Sequence, residues 1–358
     1  MKKILFAAHS LGLGGIETAL ITLLKELVKK DYEITLVLEK KEGIFLDTLN
    51  PKIKVIEYAP SNNKIVLIRK FINMCKQLKF MLKYKNKFDF SAAYATYSLS
   101  NGFVARTASQ NSALWVHLDY LTQNNNDEEK ARNYYKELKC EEYKKIIFVS
   151  KESRDNFIKL FPHCKEKAIY CNNLIDGEQI LEKSEEKIEQ HKDQIVTFLN
   201  VGRHDERQKR LTKLIEVAEM LKRDDLKFKI LFVGDGQDNN LYKEMVKNKN
   251  LEDTIIFLGR KKNPYPYYKI SDCVVLTSDY EGYPVVFLES MILKKPIITT
   301  KVSDYEQIEG KYGIVTSKDI NDIYVAMKNF IQNGFQIKEK FDYQKYNKEI
   351  LETLEKKF

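Results

Sequence analysis

The sequence predicts an α/β protein built as two doubly wound parallel-sheet domains, and three observations carry that prediction. Short β-rich runs alternate with helix-length segments from end to end. Several of these runs are continuously apolar, as strands covered on both faces are. The alternation lapses once, over the polar and charged stretch 172–193 with Gly177 in a turn, and then restarts. A chain of 358 residues also exceeds one ordinary core and suits two domains.

Taken in order, the first half offers strands at 3–8, 33–38, 54–58, 88–95, 113–117, 145–149 and 168–171, with helical patterns such as 16–29 and 130–142 between them. The second half offers strands at 196–201, 228–233, 254–258, 273–276 and 296–299 and helices at 211–222, 239–248, 285–293 and 321–331. A last polar-apolar stretch, 343–357, reads as a helix. The expected organisation is a first domain over 1–175, a linker over 176–194 and a second domain over 195–340, with the end of the chain, 341–358, packing back on the first domain. Ligand chemistry is expected between the domains, at the carboxyl ends of the strands.

Composition narrows the setting. The opening MKKILFAAHS imitates a signal peptide, but the imitation fails at His9 and a Gly-rich turn stands where a cleavage site should be. No apolar run approaches the roughly 20 residues a membrane span needs. The five cysteines are scattered and lack metal or redox spacing, so a reducing cytoplasm is the simplest compartment. The net charge of +9 is uneven, with +10 on residues 1–175 and −1 on the rest. Between Lys64 and Phe88 stand Lys64, Arg69, Lys70, Lys76, Lys79, Lys83, Lys85 and Lys87 without one acidic residue, interleaved with apolar residues at near-helical spacing. A basic amphipathic helix of this kind suits an anionic membrane surface. It also suits a solvated face on a helix whose other side packs on the sheet. No nucleic-acid-binding motif accompanies the charge, and nucleic acid is not an expected partner.

Three motifs carry chemistry. Gly12-Leu13-Gly14-Gly15-Ile16-Glu17 follows the first strand and opens a helix, where glycines let backbone approach a ligand and free N–H groups face phosphate oxygens. Any tight strand-to-helix turn also favours glycine. The second motif runs from Gly202-Arg203 to Lys209-Arg210 between the second domain's first strand and first helix. Two fixed cations there would stabilise a diphosphate leaving group as its charge grows; Arg207 and Arg210 read as solvated. The third, Ser278-Asp279-Tyr280-Glu281-Gly282-Tyr283-Pro284-Val285-Val286-Phe287-Leu288-Glu289, has Pro284 fitted for a helix start and the N–H groups of Tyr283, Val285 and Val286 near it. Glu281 stands before the helix and Glu289 two turns along it, in an otherwise apolar stretch where a carboxylate needs partners.

Together with Val233-Gly234-Asp235-Gly236 and Phe257-Leu258-Gly259-Arg260, these motifs resemble family-4 glycosyltransferases of the GT-B fold, over nearly the whole chain and in matching order. The resemblance implies two Rossmann-like domains facing across a cleft, retention at the anomeric carbon, a UDP- or GDP-sugar donor, no required divalent metal and no cofactor. It makes Arg203 and Lys209 a diphosphate clamp, Glu281 the carboxylate on donor-sugar hydroxyls and Glu289 the ribose ligand. Gly14 and Gly15 match the loop over sugar and phosphates, Gly202 and Gly282 belong to the donor-binding turns, and Gly259-Arg260 matches the nucleobase rim. His117, at a strand end, matches a histidine near the donor sugar. Where the family often has Lys-Gly, this chain has Lys209-Arg210.

The activity expected is front-face transfer of a hexose-type sugar, UDP-sugar favoured, to a lipid-linked glycan in capsular or O-antigen-type synthesis, by an enzyme peripheral on the inner face of the plasma membrane. The alternatives are a GT-B nucleotide-sugar epimerase and a catalytically silent binding subunit. A Rossmann dehydrogenase accounts for the first glycine motif but not for the paired glutamates.

Overall fold

In the computed structural model every residue is described except Leu13, Tyr97 and Asp193. Leu13 lies in the first glycine motif and Asp193 in the expected linker, so those two positions fall outside the described residues. The chain divides into two compact units, Met1–Ile175 with Tyr346–Phe358, and Asp176–Lys345.

The first unit is a parallel sheet of β1 (Lys2–Ala8), β2 (Tyr32–Leu38), β3 (Lys54–Glu57), β4 (Phe90–Ala93), β5 (Ser112–Val116), β6 (Lys145–Phe148) and β7 (Ala168–Tyr170). Its strand order is β3-β2-β1-β4-β5-β6-β7, so the winding reverses between β1 and β4. β1, β4 and β5 are almost wholly apolar and buried, and Phe6, Phe90, Tyr94 and Trp115 meet in one aromatic cluster. The chain's last residue joins it: the Phe358 ring lies 4.7 Å from Phe90 and 6.5 Å from Phe6. Lys2 Nζ donates to the Phe358 carbonyl at 3.0 Å, and Asn111 Nδ2 to that of Lys357 at 3.1 Å. The helix Tyr343–Glu355 approaches through Asn347, whose amide accepts from Ile175 N at 3.0 Å and donates to Ile175 O at 2.7 Å.

The second unit is a parallel sheet of β8 (Val196–Val201), β9 (Phe228–Val233), β10 (Ile255–Gly259), β11 (Cys273–Leu276), β12 (Ile297–Thr300) and β13 (Gly313–Thr316), in the order β10-β9-β8-β11-β12-β13. Its winding reverses between β8 and β11. The helix Leu211–Arg223 buries Leu211, Leu214, Ile215, Val217, Ala218 and Leu221 at helical spacing against Phe198, Phe232 and Met327.

Each strand expected from the sequence forms, within two or so residues except for the shorter β4. Three features differ. β13 has only four residues, two of them half-exposed, and gives no alternating or continuous signal. The helix Leu99–Ala108 carries Gly102 and Ser100 on a weakly amphipathic stretch, and its start is fixed by Ser98 accepting from Asn101 N at 3.1 Å. The expected linker is in part a helix, Gly177–Ser184, belonging to the second unit. Asp176 caps it by accepting from Gln179 N at 3.2 Å, Ile180 is buried, and Asn263 Nδ2 donates to Lys183 O at 2.8 Å. One buried isoleucine among charged residues left too faint a pattern to read.

The basic helix Val66–Tyr84 turns its apolar stripe outward. Phe80 is its one buried residue, packed on Tyr58 at 5.1 Å. Leu67, Phe71, Met74, Leu78 and Leu82 recur at spacings of three and four and are exposed, Leu67 to 78% and Leu82 to 87%. Of the two readings of this segment, the one that packs its apolar side on the sheet is therefore corrected: the polar Asn73 and Lys76 face inward, with Lys76 Nζ donating to Ala59 O at 2.7 Å. Among the described residues no helix is long and apolar enough to cross a membrane.

Candidate functional site

Open α/β sheets take ligands at the carboxyl ends of their strands, where the strand order reverses. In the second unit that point lies between β8 and β11, and the loops leaving them are 202–210 and 277–284. Backbone geometry presses the β8 loop against its neighbour. Gly202 N donates to Val233 O at 3.1 Å, and His204 N donates to Asp235 O at 3.0 Å. Gly234 has φ +158°, and a Cβ on it would stand 1.8 Å from the Gly202 carbonyl oxygen, so only glycine fits. His204, 1% exposed, fills the space between the two loops, with Nδ1 2.9 Å from Asn239 Oδ1.

The β8 loop closes in a short helix, Glu206–Lys209, and Arg210 then takes φ +52°. Arg210 thus adopts the left-handed conformation that glycine would take more cheaply, at a cost of about 1 kcal/mol. Its side chain is held by Glu206 at 3.2 Å and Asp279 at 3.1 Å, and Thr277 Oγ1 donates to the carbonyl region of Lys209 and Arg210 at 3.0 and 3.1 Å. Arg210 is therefore an anchored residue, not the solvated one the sequence suggested.

These anchors bring a cation and a carboxylate together. Lys209 Nζ lies 2.6 Å from Glu281 Oε1, which also accepts from Ser278 Oγ at 2.7 Å. Gln208 Nε2 donates to Glu281 Oε2 at 3.1 Å and to Tyr280 O at 3.3 Å. Gln208 Oε1 accepts from Arg203 Nη2 at 3.1 Å, and that guanidinium also reaches Asp205 at 3.4 Å. Glu281 and Lys209 are largely buried, whereas the Arg203 side chain is 66% exposed. The β11 loop is held from the neighbouring strand: Thr300 Oγ1 donates to Ser278 O at 2.6 Å, Ser303 Oγ donates to Gly282 O, and Tyr283 OH to Gln307 Oε1 at 3.0 Å.

Pro284 then starts the helix Val285–Ile292. The first N–H groups of a helix, here those of Val285 and Val286, have no preceding carbonyl to bond and form an anion-receptive end. Glu289 is 8% exposed, and its Oε2 accepts from Tyr268 OH at 2.5 Å. Burial pushes the Glu289 carboxyl up, and the Tyr268 and Tyr265 hydroxyls act against that rise. Gly259 turns the chain with φ +69° after β10 and leaves Arg260 exposed.

In the first unit the reversal lies between β1 and β4. Gly14 caps the helix Gly15–Val28 in extended conformation, its carbonyl accepts from Thr18 N at 2.9 Å, and the Glu17 carboxylate folds back within 2.3 Å of where a Gly14 Cβ would stand. His117 follows β5 with its ring 4.8 Å from that of Tyr94. Its Nε2 is buried and has no hydrogen-bond partner among the described residues. Burial holds its imidazole down at about 4, with a hydrogen bond to the Tyr94 backbone opposing; it is neutral at neutral pH.

The residues expected at the site thus fall into three groups. Arg203, Lys209, Glu281, Gly202 and Gly282 share one network in the second unit, with Tyr283, Val285 and Val286 following on the same loop and helix. Glu289 stands with the tyrosines Tyr265 and Tyr268, and Arg260 on the β10 loop. Gly14, Gly15 and His117 belong to the first unit. Sequence reasoning missed Gln208 and Ser278, which sit inside quoted motifs but have side chains common on any surface. It also missed the cluster in which Glu39 accepts from Ser98 and Ser100 and lies 2.5 Å from His9 Nδ1, since its members are far apart in the chain. Glu141, His163 and Cys164 form a group of metal-ligand type among the described residues, with Glu141 and His163 exposed and Cys164 buried.

Residues 182–350 match the family described as glycosyl transferases group 1. That stretch is a group 1 glycosyl transferase domain. Among curated proteins, the chain is 29% identical over 196 residues to an uncharacterized glycosyltransferase of Methanocaldococcus jannaschii, covering 49% of this chain and 48% of that one. It is 29% identical over 129 residues to the poly(ribitol-phosphate) alpha-N-acetylglucosaminyltransferase of Staphylococcus aureus, covering 35% of this chain and 26% of that one. It is 25% identical over 348 residues to the N-acetylgalactosamine-N,N'-diacetylbacillosaminyl-diphospho-undecaprenol 4-alpha-N-acetylgalactosaminyltransferase of Campylobacter jejuni, covering 93% and 91%. The chain spans half or less of the first two relatives and nearly all of the third. Among solved structures, Anabaena HepE in complex with UDP and glucose superposes with a TM-score of 0.75 at 19% identity, over 99% of this chain and 100% of that one. The lipopolysaccharide outer core galactosyltransferase WaaB gives 0.68 at 16%, over 100% and 96%. These likenesses are of fold, and the fold is GT-B.

Proposed function

We propose that the chain is a retaining glycosyltransferase that moves a hexose-type sugar from a nucleotide sugar, UDP-sugar favoured, to a lipid-linked glycan in bacterial surface-polysaccharide synthesis. The observation that carries the reading is the Lys209–Glu281 pair at 2.6 Å on loops at the reversal of the second sheet, within a group 1 glycosyl transferase domain. A cation for phosphate and a carboxylate for sugar hydroxyls stand side by side there, as a nucleotide sugar requires.

In this reading Arg203 and Lys209 hold the diphosphate, with the N–H groups of Val285 and Val286 taking its oxygens. Glu281 binds donor-sugar hydroxyls, Glu289 the ribose, and the Gly259-Arg260 turn borders the base. The bond from the anomeric carbon to the phosphate oxygen breaks as the bond to the acceptor oxygen forms on the same face. The acceptor proton passes to the departing phosphate oxygen, whose growing charge Arg203 and Lys209 stabilise more in the transition state than in the ground state. His117, neutral, is assigned to orienting the donor sugar by the family resemblance. The reaction needs no metal and no cofactor. Uridine nucleotide as donor is supported by the complex of HepE with UDP and glucose, and a lipid-diphosphate acceptor by the undecaprenol named for the Campylobacter relative. The outward apolar stripe and flanking cations of the helix Val66–Tyr84 suit docking on an anionic membrane face, where such an acceptor resides.

The test is transfer from UDP-sugars to an undecaprenyl-diphosphate-linked sugar in excess EDTA, with the new linkage read by NMR. Product with the donor's anomeric configuration is expected. Inversion, or strict metal dependence, contradicts the mechanism; a trapped glycosyl–protein adduct replaces front-face transfer by double displacement.

A further inference from the structure

Gln208 is the residue that the donor-site reading leaves without a role, yet its side chain touches two of the residues that reading uses. It is 9% exposed, and its backbone is fixed at both ends: its N–H donates to Asp205 O at 3.2 Å and its carbonyl accepts from Asp279 N at 2.9 Å. The side-chain amide is fixed in sense as well. Its nitrogen faces two acceptors, Glu281 Oε2 at 3.1 Å and Tyr280 O at 3.3 Å, and its oxygen faces one donor, Arg203 Nη2 at 3.1 Å. Turned over, the amide would set its oxygen against a carboxylate and a carbonyl and its nitrogen against a guanidinium, so only one orientation is satisfied.

We propose that Gln208 is a positioning residue of the donor site, a neutral spacer that holds the Arg203 cation and the Glu281 carboxylate at its opposite ends and keeps them from pairing with each other. The proposal rests on the glycosyltransferase reading above. Glu281 already has Lys209 as its cation. A second cation collapsing onto it would occupy the oxygens meant for sugar hydroxyls and withdraw Arg203 from the diphosphate. Opposite charges a few ångströms apart near a protein surface attract strongly enough to drive such a collapse. An amide, with a donor end and an acceptor end, satisfies both neighbours without neutralising either. A glutamate in its place would accept from Arg203 but would present no proton to Glu281 or to the Tyr280 carbonyl. Protonated, the same glutamate regains a donor end and an acceptor end; the carboxylates Glu281 and Asp205 raise its proton affinity, while Arg203 and the Lys209 on Glu281 oppose that rise.

The experiment measures kcat/KM for the nucleotide sugar in the wild-type protein, Gln208→Glu and Gln208→Met, with thermal unfolding as the check on folding. Gln208→Met, which keeps length and loses both polar ends, should lose at least about tenfold in kcat/KM, the worth of a hydrogen bond to a charged group. Gln208→Glu should be impaired at about pH 8 and regain activity relative to wild type by at least about tenfold as the pH falls towards about 5.5, following protonation of the new carboxyl. A residue that only supports the loop would give a ratio to wild type that does not move with pH. A flat ratio, or wild-type kcat/KM in Gln208→Met, overturns the proposal. Should Gln208→Met fail to fold, the pH course of Gln208→Glu decides alone. A wild-type protein that neither binds nor turns over nucleotide sugars contradicts the donor-site reading itself; an active wild type with a flat Gln208→Glu ratio contradicts the role of Gln208 alone.

Discussion

Lys209 Nζ and Glu281 Oε1 stand 2.6 Å apart although 72 residues separate them in the chain, and both are largely buried. The pair joins the loops of β8 and β11, so one substitution probes both. Lys209→Ala leaves Glu281 with Ser278 and Gln208 as donors, and the expected stability cost is about 1–3 kcal/mol, that of one charged hydrogen bond. Donor turnover should fall by at least about a hundredfold, because the lost cation acts on charge that develops in the transition state. Chemical denaturation and steady-state kinetics check the two figures.

The Tyr268 hydroxyl donates to buried Glu289 at 2.5 Å. Tyr268→Phe removes that donor and should cost about 1–3 kcal/mol in denaturant unfolding. Because the hydroxyl opposes the rise that burial imposes on the Glu289 carboxyl, its loss moves that carboxyl further up. Nucleoside affinity should weaken with it, since a protonated Glu289 no longer accepts from ribose hydroxyls in the same way; calorimetry with UDP at two pH values reads this.

His117 is held down at about 4 by burial, against about 6.5 in an unfolded chain. The unfolded state therefore binds the extra proton first, and His117 lowers stability as the pH falls through the window from about 6.5 to about 4. The full effect is on the order of 3 kcal/mol. The difference in unfolding free energy between wild type and His117→Gln, measured at pH about 7.5 and about 4.5, should change in that direction. A constant difference contradicts the buried neutral imidazole.

Binding to vesicles containing anionic lipid should depend on the outward stripe of the helix Val66–Tyr84. Phe71→Ser with Leu78→Ser should abolish it, and replacing the exposed Lys70, Lys79 and Lys83 with Gln should weaken it by about 1 kcal/mol per charge and remove its salt sensitivity. Lys76 is a poor probe, since its ammonium is bonded to Ala59 O. Sedimentation with vesicles measures both; unchanged binding in the serine variant contradicts the membrane role.

Much of this arrangement is legible in the sequence. The central strands of both units are buried on both faces, so their continuous apolar runs mark them with little ambiguity, and the glycine and proline turns after β1, β8 and β11 mark where ligand loops begin. Glu289 draws notice because a carboxylate in an apolar helix needs partners, but nothing in the spacing identifies Tyr268 as the partner. The Arg203–Gln208–Glu281 chain is invisible for the same reason: it depends on two loops that meet only when β8 and β11 pair. The outward direction of the apolar stripe on Val66–Tyr84 is not encoded in its period, which fixes that a face exists but not what it faces. Arg210 in a left-handed turn is the reverse case, where local preference favours glycine and two ion pairs, one within the loop to Glu206 and one across to Asp279, decide otherwise.

The central claim is that the second unit holds a nucleotide sugar, with Lys209 on its diphosphate and Glu281 on its sugar hydroxyls. The most direct test is thermal unfolding of the wild-type protein and Lys209→Ala with UDP, GDP, ADP and NAD in turn, without added metal. UDP at about 100 times its dissociation constant should stabilise the wild-type protein by roughly 2.7 kcal/mol and Lys209→Ala by much less. No shift with any nucleotide, or a shift with NAD alone, contradicts the claim.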